Sequence, residues 1–265
     1  MVAGATGLAG SAIVKAFEVA GHEVTGINRS VVDLMDANAT ENFICLAKPS
    51  LIVDAAAKVG GIGANNSYPV EFLNDNITIQ GNLMRAAHKA SVPKFVFLGS
   101  SCIYPRDCAQ PIKEEYLMTG PLEATNSAYA VAKIAGIEMI NSYRKEYGTK
   151  WISLMPTNLY GPRDNFDLAA SHVLPAFIRR FIEAAETGAK KVTLWGSGSP
   201  LREFLHVDDL ADACYFLLQN YNQPGLINLG SGVDISIKEL AVLIASSIGY
   251  NGELYFDNTK PDGTP

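Results

Sequence analysis

Short apolar runs alternate with amphipathic stretches through the first 160 residues of the chain. Runs of Val, Ile, Leu and Phe without regular polar positions are typical of strands that are buried on both faces of a sheet. In the stretches between them, apolar residues recur three to four positions apart, as on one side of a helix. The pattern predicts strands at residues 1–3, 23–27, 51–54, 94–98 and 151–155, and helices at 11–20, 37–46, 83–90 and 128–147. Beyond residue 160 it is less regular and predicts helices at 173–186, 208–218 and 237–248 and a strand at 192–195.

This alternation of strands and helices predicts an α/β fold with a doubly wound parallel sheet of the Rossmann type. We expect residues 1–160, with a returning segment at about 204–222, to form that domain. Residues 161–203 and 223–265 are expected to form a smaller, discontinuous α+β domain. Because only three residues precede the first glycine and the chain stops at Pro265 after a loop-like segment, part of each end is expected to be missing.

The composition is that of an ordinary globular protein, with 48% hydrophobic and 18% charged residues. A total of 21 Lys and Arg against 27 Asp and Glu gives a net charge of −6. This balance argues against a nucleic-acid binder or a protein of anionic membrane surfaces, which would carry a basic excess. No apolar run is long enough to cross a membrane, and because the first residues are neither basic nor followed by a secretory apolar core, we expect no signal peptide.

The cysteine and histidine spacings indicate neither a disulfide framework nor a metal site. The four cysteines include no CxxC pair, and the four histidines include no HExxH pattern. Reduced thiols are typical of cytosolic proteins. We therefore predict no metal and a cytoplasmic location.

A glycine-rich segment, Gly4-Ala-Thr-Gly7-Leu-Ala-Gly10, joins the first predicted strand to the first predicted helix. Glycines at such a turn let the backbone approach a pyrophosphate, whose charge is stabilised by the N-terminus of the helix. The spacing is GxxGxxG rather than GxGxxG, and an unoccupied strand–helix turn is the alternative. The position of the segment at the start of a βαβ series favours a bound dinucleotide.

The end of the second predicted strand distinguishes between the two nicotinamide dinucleotides. An NAD site usually has an acidic residue there that binds the ribose hydroxyls, and no acidic residue lies between Glu23 and Asp33. The strand ends instead in Asn28-Arg29-Ser30. Because a guanidinium can pair with a ribose 2′-phosphate, Arg29 favours NADP(H), a solvated surface arginine being the alternative.

Tyr129 and Lys133 are four residues apart and share one side of a predicted helix. They follow the strand at 94–98, which runs into Gly99-Ser100-Ser101-Cys102. Ligands of open α/β sheets bind beyond the carboxyl ends of the strands, where the Ser100 hydroxyl can hydrogen-bond a substrate carbonyl beside the tyrosine. We expect the lysine charge to lower the pKa of the phenol, which is about 10 in model peptides, and so to make Tyr129 a better acid.

Several longer segments resemble the extended short-chain dehydrogenase/reductase family, and within it the enzymes that convert a GDP-4-keto-6-deoxy sugar. They are Ala55-Ala-Ala-Lys58-Val-Gly-Gly61, Gly99-Ser-Ser-Cys102-Ile-Tyr-Pro105, Met155-Pro-Thr-Asn158-Leu-Tyr-Gly161, Ser171-His172-Val173 and the stretch from Trp195 to Asp209. The resemblance implies an NADP-dependent oxidoreductase and isomerase, acting as a homodimer. It would make GDP-L-fucose by 3,5-epimerisation and 4-reduction of GDP-4-keto-6-deoxy-D-mannose. One departure is Ala5-Thr6, where the family leads us to expect His-Arg.

The resemblance also implies roles for single residues. Cys102 and His172 would move protons at C3 and C5 of the sugar, and we expect a nearby imidazolium to increase the thiolate fraction of Cys102. The predicted catalytic residues are Ser100, Cys102, Tyr129, Lys133 and His172. The predicted cofactor-binding residues are Gly4, Thr6, Gly7, Leu8, Gly10, Arg29, Ala56, Ala57, Tyr129, Lys133, Asn158 and His172. The predicted contacts to a GDP-sugar are Asn158, Val173, Arg180, Trp195 and Arg202.

Structural roles and other functions are alternatives at this point. Cys102 could be a small buried apolar residue, His172 a helix cap, and Trp195 a core residue. A 4-epimerase or 4,6-dehydratase of the same fold is the nearest alternative function, although the dehydratases have an Asp-Glu pair where Ser101-Cys102 stands. A non-catalytic NADP-binding sensor is a further alternative, but a sensor would be expected to have lost the tyrosine or the lysine of the predicted pair.

Overall fold

The computed structural model describes residues 1–168, 171–260 and 262. The strands are β1 (Val2–Ala3), β2 (Gly26–Ile27), β3 (Leu51–Asp54), β4 (Lys94–Leu98), β5 (Ile152–Pro156), β6 (Asn158–Tyr160), β7 (Lys191–Trp195), β8 (Leu201–His206), β9 (Leu226–Leu229), β10 (Asp234–Ser236) and β11 (Glu253–Asp257). The helices are α1 (Leu8–Val19), α2 (Ala37–Ala47), α3 (Ile62–Ser67), α4 (Pro69–Lys89), α5 (Ser127–Tyr147), α6 (Val173–Thr187), α7 (Val207–Asn220) and α8 (Ile237–Ile248). The expectation for the end of the chain at Pro265 falls outside the described residues.

Six of these strands form one parallel sheet in the order β2-β1-β3-β4-β5-β9. In β4, the consecutive residues Phe95, Val96, Phe97 and Leu98 are all buried, because helices cover both faces of the sheet. Phe95 and Phe97 pack with residues of α4 and α5 on one face, while Val96 and Leu98 pack with residues of α1 and α7 on the other. The predicted doubly wound, Rossmann-type α/β fold is confirmed.

Helix α4 and strand β2 differ clearly in extent from their predictions. Helix α4 begins at Pro69, well before the predicted start at residue 83. Its residues Asn76 and Gln80 are buried, so polar side chains occupy inward positions and conceal the apolar pattern of the helix. Strand β2 is only two residues long because its neighbour β1 pairs with it only through Val2 and Ala3.

A separate apolar core forms in the later part of the chain. Helices α6 and α8 contribute Phe181 and Leu240 to it, beside the parallel pair β7-β11. Strands β6, β8 and β10 form a small mixed sheet. Helix α8 starts with a capping box between Ser236 and Glu239. The two-domain division stays a prediction, but β9, which lies in the range 223–265 assigned to the smaller domain, pairs with β5 in the large sheet.

The carboxyl ends of β1, β3 and β4 lie side by side, because these strands are parallel neighbours. The segments that follow them therefore meet at one edge of the sheet, where ligands of open α/β sheets bind. No helix in the described part of the chain has the length and apolar character needed to cross a membrane.

Candidate active site

The glycine-rich turn after β1 leaves open backbone at the start of α1. Gly4 has a φ of +75°, and a Cβ there would lie 2.6 Å from the carbonyl oxygen of Ala55. A Cβ at Gly10 would overlap the carbonyl of Gly4. Gly7 is the N-cap of α1 and has no side chain to accept a hydrogen bond, so the first N–H groups of the helix are available to an anion. The turn therefore fits the pyrophosphate of a dinucleotide.

Other predicted cofactor contacts surround this turn. Thr6 is exposed within it, and Leu8 is the first residue of α1. Ala56 and Ala57 are half-buried in the loop after β3. That loop lies beside the turn, since the N–H of Ala55 donates to the carbonyl oxygen of the last residue of β1 at 3.1 Å. The structure thus brings these residues to one edge of the sheet, and their contact with a cofactor stays a prediction.

Arg29 lies exposed just after β2. Its side chain forms no ion pair or hydrogen bond with any of the described residues. Strand β2 is close to the glycine turn, because a Cβ at Gly26 would lie 2.8 Å from that of Ala5. The guanidinium is therefore available to a phosphate bound beside the turn.

Strand β4 ends in a tight turn that carries Ser100 and Cys102. Ser100 precedes a single 3₁₀ turn, and its Oγ accepts a hydrogen bond from the N–H of Cys102 at 3.5 Å. Ile103 and Tyr104 are buried behind the turn, and the Tyr104 hydroxyl donates to Oδ1 of Asn228 at 2.5 Å. These contacts hold the serine and the cysteine at the carboxyl edge of the sheet.

Tyr129 and Lys133 lie on α5 beside that turn. Lys133 is 3% exposed, and its Nζ donates to the carbonyl oxygen of Leu98 at 2.9 Å. The same Nζ is 5.8 Å from the centre of the Tyr129 ring, and its charge acts on the Cys102 thiol. The Tyr129 ring packs edge-on against Phe72 of α4, with the ring centres 6.2 Å apart. The predicted tyrosine–lysine pair and the cysteine therefore belong to one cluster.

Burial alters the protonation of this cluster. It raises the pKa of the Cys102 thiol to about 11, and the opposing effects of Ser100 and Lys133 are smaller. Burial, followed by the charges of Cys102 and Asp54, raises the pKa of Tyr129. His172 is not among the groups that act on the thiol. The expected increase in thiolate and the expected lowering of the phenol pKa are therefore wrong for this structure, because desolvation outweighs the charge of Lys133 at Cys102 and no cation appreciably lowers the pKa of Tyr129.

Asp54, which the motif analysis missed, belongs to the same cluster. It ends β3 and is 1% exposed. Its Oδ1 accepts a hydrogen bond from the N–H of Ala56 at 3.1 Å, whereas its Oδ2 is buried without a hydrogen-bond partner. Burial raises the pKa of Asp54 to about 6, against the opposing charge of Lys133. The sequence feature that points to Asp54 is an acidic residue at the end of an apolar strand, where a carboxylate is costly to bury.

His172 and Val173 lie at the start of α6. His172 occupies the N-cap position but makes no capping hydrogen bond through its side chain. The residue is exposed, and desolvation by the surrounding protein lowers the pKa of its imidazole against the charge of Asp164. No hydrogen bond or ion pair joins His172 to Cys102 or Tyr129 in the described part of the chain. The expected proton-transfer pair is therefore not hydrogen-bonded in this structure, and its role stays a prediction.

Two of the predicted substrate contacts make hydrogen bonds to the backbone. Nδ2 of Asn158 donates to the carbonyl oxygen of Glu203 at 2.9 Å, which joins β6 to β8. Nη1 of Arg180 donates to the carbonyl oxygen of Thr193 at 3.2 Å, which joins α6 to β7. Each side chain keeps further polar atoms that a ligand can use.

Trp195 and Arg202 lie on β7 and β8. Trp195 is 51% exposed, which excludes the alternative of a core tryptophan, and the Nζ of Lys260 is 5.5 Å from its ring centre. Burial lowers the pKa of the Arg202 guanidinium, and the carboxylates of Asp262 and Glu123 oppose this effect. An exposed aromatic ring and a partly buried guanidinium suit a nucleotide diphosphate, and that role stays a prediction.

The other cysteines and histidines form no further site. Cys45, Cys108 and Cys214 are free thiols, of which Cys214 is buried. His22 Nε2 is 3.4 Å from the hydroxyl of Tyr215. Among the described residues, no group of three or more His, Cys, Asp or Glu side chains could hold a metal ion.

Comparison with known proteins identifies the family. The model of the NAD dependent epimerase/dehydratase family matches residues 1–230, which is most of the chain. This chain belongs to that family. The match includes the glycine-rich turn, the turn after β4 and the tyrosine–lysine pair, and it confirms the predicted resemblance to extended short-chain dehydrogenases/reductases.

Two relatives and one solved structure are similar to this chain over almost its whole length. The chain is 53% identical over 265 residues to "Putative GDP-L-fucose synthase 2" of Arabidopsis thaliana, covering 100% of this chain and 81% of that protein. It is 49% identical over 264 residues to "GDP-L-fucose synthase" of Sinorhizobium fredii, covering 100% of this chain and 84% of that protein. The structure matches that of "a gdp-l-fucose synthetase from Naegleria fowleri bound to NADP" with a TM-score of 0.88 at 30% identity, covering 99% of this chain and 82% of that chain.

Proposed function

We propose that this chain is an NADPH-dependent oxidoreductase and isomerase that converts GDP-4-keto-6-deoxy-D-mannose to GDP-L-fucose. Cys102 carries this proposal, because its thiol shares the carboxyl edge of the sheet with Ser100 and the Tyr129–Lys133 pair. A simple ketone reductase needs the hydroxyls and the lysine, whereas the thiol adds a group that can exchange protons with the carbons beside the ketone. The names of the Arabidopsis and Sinorhizobium relatives support this substrate.

The turn after β1 and the end of β2 fit a dinucleotide with a phosphorylated ribose. The side-chain-free surface of Gly4, Gly7 and Gly10 would hold the pyrophosphate at the start of α1. Arg29 would bind the 2′-phosphate, in place of the arginine that Ala5-Thr6 lacks. The NADP named with the Naegleria relative supports this choice of cofactor. When bound, NADPH supplies the hydride for C4 of the sugar.

Epimerisation needs one group to remove a proton from C3 or C5 and another to return a proton on the opposite face. The C4 carbonyl acidifies both carbons, and Cys102 and His172 would act on them. Burial leaves the thiol protonated and lowers the pKa of the imidazole, so the pair starts with one transferable proton. The two residues belong to different elements, the turn after β4 and the start of α6, which suits approach from two sides of a sugar ring.

Reduction at C4 needs a hydrogen-bond donor and a proton donor at the ketone oxygen. Ser100 would hold and polarise that oxygen, and Tyr129 would give it a proton. The raised pKa of Tyr129 keeps the phenol protonated at neutral pH. Lys133, fixed by its hydrogen bond to the carbonyl oxygen of Leu98, would position the tyrosine.

The GDP moiety would lie along β6, β7, β8 and the start of α6. Arg180 and Arg202 would bind the diphosphate, and the exposed ring of Trp195 would pack on the base or sugar. Asn158 and Val173 would line the path from these residues to the cluster at β4.

A homodimer and a cytoplasmic location complete the proposal. The four free thiols suit a reducing compartment. Val70 on α4 and Val131 on α5 are 68% and 45% exposed, and an interface between copies on these two helices would bury them. Analytical ultracentrifugation tests whether the protein is a dimer. A Val131→Glu variant that sediments as a monomer would support α5 as part of the dimer interface.

Steady-state NADPH oxidation tests the reaction. We expect consumption of NADPH with GDP-4-keto-6-deoxymannose and much slower consumption with the UDP and dTDP analogues. A 4-epimerase would interconvert C4 epimers without net oxidation, and a sensor would bind NADPH without turnover. Either result would overturn the proposed function.

Solvent-deuterium exchange separates the two half-reactions. Tyr129→Phe should abolish reduction while leaving some deuterium uptake at C3 and C5 of the bound keto sugar. Cys102→Ala should suppress that uptake by about 10²–10⁴-fold. Cys108→Ala, which removes a half-buried thiol that is not among the groups acting on Cys102 or Tyr129, should leave uptake unchanged. Undiminished exchange in Cys102→Ala would remove the thiol from the mechanism.

A further inference from the structure

The carboxyl group of Asp54 lies on an apolar face of the large sheet, with only its Oδ1 in a hydrogen bond. In the large sheet it pairs in register with Ala3 of β1 and with Phe97 of β4. Both neighbours belong to the apolar cluster on the α4 and α5 face of the sheet. Because residues in register share a face of a parallel sheet, the Asp54 carboxyl lies on that face too, next to the Phe97 ring.

The ammonium of Lys133 lies over the same ring. Its Nζ is 4.8 Å from the centre of Phe97 and 5.8 Å from the centre of Tyr129. Lys133 uses one N–H on the carbonyl oxygen of Leu98, and no carboxylate lies within 4.0 Å of its Nζ among the described residues. The carboxyl group of Asp54, whose Oδ2 has no partner, and this ammonium are therefore both neighbours of the Phe97 ring, and their charges interact.

Few ionisable groups act on one another on the α4 and α5 face of the sheet. Lys133 is the one charged side chain in the described chain that shifts the pKa of Asp54 appreciably. Helix α5 supplies Lys133 and Tyr129, and the turn after β4 supplies Cys102. Helix α4 contributes the ring of Phe72 and uncharged amides to this region, and no ionisable group of α4 acts on the cluster.

We propose that Asp54 is a positioning residue that keeps both Lys133 and Tyr129 in their protonated forms. A carboxylate beside a buried ammonium stabilises the charged lysine, and a carboxylate near a buried phenol opposes loss of its proton. The charge of Asp54 accordingly raises the pKa of Lys133 and that of Tyr129. Both effects favour the state in which the phenol can give its proton to the ketone oxygen. This role for Tyr129 rests on the proposed function, whereas the coupling of Asp54 to Lys133 does not.

The kinetic test is the pH profile of the reduction in the Asp54→Asn variant. Loss of the carboxylate should move the alkaline limb of kcat to lower pH by about one unit, with little change below pH 6. Asp36→Asn removes the same charge from the exposed N-cap of α2 and should leave the limb in place. If Asp54 only fills space, the Asn variant lowers kcat equally at every pH, and this result would overturn the proposal.

A spectroscopic test needs neither substrate nor cofactor. In protein labelled with ¹³C at the lysine ε-carbons, the signal lost in Lys133→Met identifies Lys133. In the unchanged protein that signal should show a step near pH 6, where Asp54 titrates, and the step should vanish in Asp54→Asn. Absence of the step in the unchanged protein would refute the coupling even if the Asn variant does not fold. A step without turnover of any GDP-sugar would instead count against the proposed function alone.

Discussion

Replacing Asp54 by Asn should change how the stability of the protein depends on pH. Burial raises the pKa of Asp54 from an ordinary value of 3.8 to about 6 in the folded protein. Since the folded protein then holds the proton more tightly than the unfolded chain, the stabilisation from this group is full below pH 3.8 and is lost as the pH rises through 6. Each pKa unit is worth about 1.4 kcal/mol. Ionising Asp54 therefore costs the folded protein about 3 kcal/mol at alkaline pH.

Urea unfolding at pH 4.5 and at pH 8 measures this cost. The Asp54→Asn variant has no titrating group at the site. The free energy of unfolding of the variant minus that of the unchanged protein should therefore increase by about 2 kcal/mol from pH 4.5 to pH 8. Taking the difference between two proteins cancels the titration of every other group that both share. Asp36→Asn, measured in parallel, controls for the change in net charge. A gap that stays constant from pH 4.5 to pH 8 would refute the conclusion that a carboxylate is buried here at a cost.

Three further variants test the turn, the phosphate contact and the second core. Gly10→Ala pushes a methyl group into the carbonyl of the glycine-rich turn. It should lower the free energy of unfolding in urea by about 1–3 kcal/mol and weaken NADPH binding. The control Gly81→Ala, whose Cβ meets only a methionine methyl at 3.9 Å, should do neither. Arg29→Ala should weaken NADPH binding by about 10–100-fold in calorimetric titration, from the loss of one charged hydrogen bond, and leave NADH binding almost unchanged; equal losses for both would place the arginine away from the 2′-phosphate. Ser236→Ala removes the capping box with Glu239 and should cost about 1 kcal/mol of stability without altering kcat, so a loss of activity at full folding would contradict a purely structural role.

The large sheet could be predicted from the sequence because its strands are buried on both faces. In β4 this burial produces an unbroken apolar run, and the run is visible without knowing what covers it. The first half of α4 could not be predicted in the same way. Nδ2 of Asn76 donates to the carbonyl oxygen of Lys58 at 3.0 Å, and Nε2 of Gln80 donates to that of Ala132 on α5 at 2.7 Å. These amides are compatible with burial only because of partners that the local sequence does not reveal.

In the candidate site, the positions of the residues could be predicted from the sequence, but their protonation could not. The order of strands and turns was enough to place Ser100, Cys102 and the tyrosine–lysine pair together, since the carboxyl ends of parallel strands meet. Their protonation was predicted with the wrong sign, because it depends on how much water each group loses rather than on which cations are near. Asp54 was missed for a related reason: it matches no motif, and only its burial beside Lys133 makes it notable.

Because of the protonation states of Cys102 and His172, both half-reactions need Ser100 to stabilise negative charge on the ketone oxygen. A protonated thiol and a largely neutral imidazole remove a carbon-bound proton slowly unless the negative charge that develops on the ketone oxygen is stabilised. In the proposed arrangement the Ser100 hydroxyl and the Tyr129 phenol donate to that oxygen, so the donors that serve reduction also serve epimerisation. Ser100→Ala should therefore slow solvent-deuterium uptake and NADPH oxidation alike, by about 10²–10³-fold, whereas Ser101→Ala should affect both far less. Uptake at the normal rate in a Ser100→Ala variant that no longer oxidises NADPH would show that the enolate is stabilised by other groups, and would separate the two reactions at this oxygen.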